Sequence, residues 1–157
     1  MSGAEVEQTL LDAAHLEPGQ DVLVLGSGAL ALATHERVGD GWVYVVQSQV
    51  DELEELLGAA HAAGASGVAY LVGEAPVLPL PDGAVAAAVG RIATDEGALQ
   101  GAAEELARVL SVGGWVSFAE PDTGAGEELA GALAAAGFEQ VQVEHVSDEA
   151  VVSGRLA

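Results

Sequence analysis

At 157 residues the chain has the length of a single domain, enough to bury a sheet between two helical layers. Its 25 acidic residues face four arginines and no lysine, and a formal net charge of −21 repels phosphate backbones and anionic lipid, which excludes nucleic acid and membrane surfaces as partners. No apolar run approaches the roughly eighteen residues of a membrane span, and the absence of cysteine removes disulfides and thiolate metal sites.

The start, Met1-Ser-Gly-Ala-Glu-Val-Glu, lacks the basic and apolar blocks of a signal peptide, so the expected location is cytoplasmic. Residues 5–16 place Val6, Leu10 and Ala13/Ala14 at helical spacing and read as an amphipathic leading helix within segment 1–16. Pro18-Gly19 ends it. The apolar run 22–25 is the first strand; it breaks on Gly26-Ser27-Gly28, and a helix over about 29–38 follows. Gly39-Asp40-Gly41 turns into a second strand, 42–46. Ser48, with Asp51 three residues on, caps a helix running towards Ala63, which completes a β-α-β unit.

The third strand is 68–72 and the fourth 84–89. Between them, Leu78-Pro-Leu-Pro-Asp-Gly83 is too rich in proline and glycine for either regular element. Residues 95–110 form the next helix, with Leu99, Ala103, Leu106 and Leu110 on one side. Gly113-Gly114 then turns into a fifth strand, 115–119. A helix over about 125–136 stops at Gly137, a C′ residue suited to the left-handed region. The tail, 138–157, reads as a hairpin with strands at 140–145 and 150–153. Strands alternating with helices in this way define an α/β, Rossmann-like, doubly wound sheet.

Several phrases at ordered intervals resemble the class I S-adenosylmethionine-dependent methyltransferases, especially the small-molecule group that shares the methyltransferase domain 11 pattern. They are Leu16-Glu-Pro-Gly-Gln-Asp-Val-Leu, the Gly26-Ser27-Gly28 turn, Gly73-Glu-Ala with Leu78-Pro-Leu-Pro-Asp-Gly, then Ala107-Arg-Val-Leu-Ser-Val-Gly-Gly-Trp and Glu120-Pro. The resemblance runs from about Leu16 to the end. It implies about seven strands, mostly parallel with the last antiparallel, and S-adenosylmethionine lying over the carboxyl ends of the first strands. Carried over by position, the cofactor-binding set is Gly26, Ser27, Gly28, Gln47, Glu74, Ala75 and Arg91. In this set the glycine turn cradles the methionine portion, Gln47 lies near the ribose and Glu74 near the adenine amino group.

The chain also departs from that pattern. Val24 stands where relatives have an acidic residue two positions before the first glycine. Ala29-Leu30 replace the third glycine of the turn, Gln47 replaces the carboxylate that accepts both ribose hydroxyls, and Ala86-Ala87 replace a Phe-Asp pair. A charge-assisted hydrogen bond contributes about 1.5–3 kcal/mol, so an amide at Gln47 weakens binding roughly ten- to a hundredfold where nothing compensates. The resemblance therefore implies one of two functions: a methyltransferase acting on a small-molecule acceptor, or a non-catalytic domain of that fold serving as a structural or regulatory partner with a vestigial pocket.

Other patterns point to less. His15, His35, His61 and His145 lie far apart with no metal-ligand spacing, so no metal is expected. Ser27 does not sit in a Gly-x-Ser-x-Gly frame, which argues against a hydrolase. Asp51, Glu52, Glu54 and Glu55 read as a solvated helix face. Arg91, Asp95 and Glu120 fall near strand ends on the expected ligand side, and their roles stay open between catalysis and simple hydrogen bonding. Trp42 and Trp115 either pack at strand ends within the monomer or are covered by a second subunit in a homodimer. The missing asparagine, beside abundant Ala, Gly and Val, fits either a GC-rich genome or adaptation to salt.

Overall fold

A computed structural model describes residues 2–25, 28–47, 67–72, 78–91, 96–121, 124–146 and 149–157. The helix expected after Ser48, with Asp51 to Glu55, lies outside the described residues. In chain order the elements are α1 (Ser2–Ala13), β1 (Val22–Leu25), α2 (Gly28–Val38), β2 (Val43–Gln47), β3 (Val68–Val72), β4 (Val85–Gly90) and α3 (Glu96–Val109). They continue with β5 (Leu110–Pro121), α4 (Ala125–Ala135), β6 (Phe138–Val146) and β7 (Glu149–Leu156). The strands form one seven-stranded sheet in the order β3-β2-β1-β4-β5-β7-β6, in which β7 runs antiparallel to both its neighbours. This is the doubly wound sheet with an antiparallel terminal hairpin that the sequence predicts.

Side-chain alternation along each strand divides the core into two layers. Leu23, Leu25, Val46, Ala88, Val116, Phe118 and Val152 face Ala102 and Leu106 of α3 and Leu129 and Leu133 of α4. Val22, Val24, Val43, Val45, Ala87, Val89 and Val151 face Val6 and Leu10 of α1 and Leu30 and Val38 of α2. All four residues of β1 are buried, as a central parallel strand covered on both faces requires.

The predicted boundaries shift where tertiary contacts intervene. The leading helix stops at Ala13 because Ala14 and His15 donate to carbonyls three residues back, tightening the last turn, and His15 enters the left-handed region at φ 51°. Its imidazole then packs against Trp115 with the two rings tilted by 39° and their centroids 4.1 Å apart. Trp115 thus packs within the monomer, whereas Trp42 is 47% exposed beside Tyr44. β5 starts at Leu110, not at Trp115. Leu110 pairs with Val85, the register slips, and pairing resumes at Ala87 with Trp115, so the Gly113-Gly114 turn is an irregularity inside the strand. The tail strands are longer than expected because β6 and β7 pair from Phe138–Leu156 to Val146–Glu149. Among the described residues no helix is long and apolar enough to cross a membrane.

The proline-rich segment before β4 is fixed by α3. Leu78 is buried; its N–H donates to Glu105 Oε2 at 2.7 Å, and its carbonyl accepts from Arg108 Nη2 at 3.1 Å. The same guanidinium reaches Asp82 at 2.9 Å and also pairs with Glu105. The hydrogen bond from Arg108 holds the Glu105 carboxyl below the usual carboxylate range, helped by Leu78 N–H and opposed by desolvation. A carboxyl lowered by folding stabilises the native state above its unfolded pKa, and that contribution is lost as pH falls through the folded value. Glu105→Ala also leaves the Leu78 N–H without its acceptor, an expected loss of about 1–3 kcal/mol in urea unfolding at neutral pH. Glu105→Gln is expected to flatten the stability decline below about pH 4, and an unchanged acid limb would remove Glu105 from that role.

Candidate functional site at the carboxyl edge of the sheet

The strand order reverses between β1 and β4, and in doubly wound sheets the crevice outside the carboxyl ends at such a point receives ligands. Leu25 ends β1 and pairs with Val46 on one side and Gly90 on the other. Gly90 has φ +133°, and a Cβ placed on it would meet the Leu25 carbonyl oxygen at 2.0 Å. Only glycine allows β4 to close on β1 here. The next N–H, that of Arg91, donates to the same Leu25 carbonyl at 3.0 Å. α2 begins at Gly28, so a helix amino terminus follows soon after the end of β1.

Of the sequence-predicted site residues, Gly28 heads α2 and Gln47 closes β2, where its backbone pairs with Val72 of β3. Arg91 directly follows β4. Gly26, Ser27, Glu74 and Ala75 lie outside the described residues, as does Asp95. Val24 is fully buried in the layer with α1 and α2, so the position where the resemblance expects an acidic residue serves here as core. Ala87 belongs to that same layer.

The Arg91 guanidinium pairs with Glu149 at the start of β7. Because β5 lies between β4 and β7, this side chain bridges past the carboxyl end of β5. Arg91 is pushed above the usual arginine range, first by the hydrogen bond to Glu149, against desolvation, and then by the charges of Glu149 and Glu120. Glu120, near the end of β5, is only 9% exposed. Farther along the same edge, His145 Nε2 lies 3.7 Å from Glu127. Among the described residues no group of three or more His, Asp or Glu side chains is placed to hold a metal ion.

Gly90 and Glu149 are the residues that sequence reasoning missed. The glycine that ends the run Ala86-Ala-Ala-Val-Gly90 was a weak signal for a close approach, and nothing local marks Glu149 as the partner of a residue 58 positions earlier.

No protein-family model and no curated sequence matches the chain. Solved structures do resemble it. A [4+2]-cyclase, SpnF, aligns with a TM-score of 0.82 at 20% identity, over 97% of this chain and 80% of its own. A SAM-dependent methyltransferase from Aquifex aeolicus aligns at 0.79 and 22% identity, over 96% and 89%. Geranyl diphosphate C-methyltransferase from Streptomyces coelicolor A3(2), in complex with Mg2+, geranyl diphosphate and S-adenosyl-L-homocysteine, aligns at 0.80 and 15% identity, over 99% and 81%. The protein has the class I methyltransferase fold. At these identities the likeness defines the architecture, and function rests on the site.

Proposed function

We propose that the chain binds S-adenosylmethionine at the carboxyl ends of β1 and β4 and transfers its methyl group to a small-molecule acceptor. The observation that carries this reading is the contact of Gly90 with Leu25, which draws the two strands together at the switch point next to the amino terminus of α2. A cofactor carboxylate suits that helix start, and the backbone there offers donors that do not depend on side-chain charge. Gly26, Ser27 and Gly28 then hold the methionine portion, Gln47 the ribose, Glu74 and Ala75 the adenine side, and Arg91 the rim next to the acceptor. The cofactor supplies an electrophilic methyl group; the chain supplies positioning, and methyl transfer draws much of its acceleration from that.

A second reading is favoured by Val24, a fully buried valine at the position where the resemblance expects an acidic group. In that reading the domain has lost methyl transfer and serves a protein partner or a second copy of itself. The readings separate on whether the parent binds S-adenosylmethionine, and on the first reading Glu74→Ala is expected to weaken that binding by about 1–3 kcal/mol in calorimetric titration. Equal affinities for variant and parent would take Glu74 out of the site. Gln47→Asp is expected to tighten binding by restoring the carboxylate.

A further inference from the structure

All the fixed positive charge of this protein can be located. The sequence has four arginines and no lysine, and every arginine is among the described residues. Arg37 in the last turn of α2 pairs with Asp12, Arg108 in the last turn of α3 with Glu105 and Asp82, and Arg155 of β7 with Glu139. The chain direction puts these three at the amino edge of the parallel strands, since α2 and α3 lead into β2 and β5 and Arg155 lies opposite Trp115. Arg91 alone stands at the carboxyl edge, and Glu149 already holds it, with buried Glu120 adding a second negative charge.

With no lysine in the chain, side-chain recognition of a phosphorylated acceptor needs an arginine free to meet it, and the field of a chain at −21 opposes its approach. The diphosphate in the Streptomyces complex is accompanied by Mg2+; without such an ion, a diphosphate at this edge would meet Arg91 alone, and only by breaking an existing ion pair. Resting on the methyl-transfer reading, we propose that Glu149 is a specificity-determining residue. By holding Arg91 it makes the site reject anionic acceptors such as phosphate esters and admit uncharged or cationic ones. The device acts by exclusion, through a cation kept occupied within the fold.

The test titrates inorganic pyrophosphate into the parent protein, Glu149→Gln and the double variant Glu149→Gln/Arg91→Gln, with S-adenosylmethionine titrated separately into each. The parent is expected to show no pyrophosphate binding at about 1 mM, and Glu149→Gln to bind it at least about tenfold more tightly, a gain the double variant loses. Should Glu149→Gln not fold, Glu149→Asp, with its carboxylate drawn back by one methylene, is expected to show a smaller gain in the same direction. Parent binding equal to that of the variant, no gain on freeing Arg91, or a gain that survives loss of Arg91 would each overturn the proposal. Absence of S-adenosylmethionine binding throughout would instead overturn the methyl-transfer reading and leave the pyrophosphate result to be judged by itself.

Discussion

Gly90→Ala is expected to cost at least about 4 kcal/mol of stability and to abolish cofactor binding in whatever protein still folds. The added Cβ would lie 2.0 Å from the Leu25 carbonyl oxygen, and the residue would have to hold φ +133°. Relief requires β4 to move off β1, and that motion breaks the Arg91 N–H bond to Leu25 as well. Proteins of this size hold about 5–15 kcal/mol in all, so the variant stands near the limit of folding. Urea unfolding of Gly90→Ala and Gly90→Ser checks the expectation. A loss under about 1 kcal/mol for both would show that β1 and β4 do not approach so closely.

Phe118→Ala is expected to be comparably destabilising, by about 3–5 kcal/mol, for a different reason. Phe118 is fully buried in the layer formed with α3 and α4, and it pairs with Gly90 on one side and Val152 on the other. Removing the ring leaves a cavity beneath helices that can follow it only partly. The crevice backbone keeps its glycine, so Phe118→Ala is expected to lower the unfolding midpoint while leaving S-adenosylmethionine affinity within about threefold of the parent at low temperature. The contrast between the variants separates the strand contact at the site from stability in general. Because their residues are paired, the double variant is expected to be non-additive.

Much of the fold was legible in the sequence because the parallel strands β1 to β4 are short, mostly apolar runs set off by glycine-rich turns. Val22 to Leu25 could hardly be anything but a buried strand, and Gly137 ends α4 in the left-handed region at φ 106°. What was not legible depends on distant partners. Leu110 reads as the end of a helix until Val85 claims it for the sheet, and His15 leaves the helical pattern to lie against Trp115. Leu78-Pro-Leu-Pro-Asp-Gly reads as a loop in sequence, but only the structure shows Arg108 and Glu105 fastening it. At the site, Arg91 and Glu120 were placed correctly near strand ends. The control of Arg91 was hidden, since Glu149 comes to it only through the antiparallel pairing of β7 with β5.

Calorimetric titration of the parent protein with S-adenosylmethionine and S-adenosylhomocysteine, at low and high salt, tests the central claim most directly. Cofactor binding in the micromolar range, about −7 to −8 kcal/mol, is the predicted result. No heat of binding for either ligand at millimolar concentration would contradict it and leave a methyltransferase fold whose work is done with other partners.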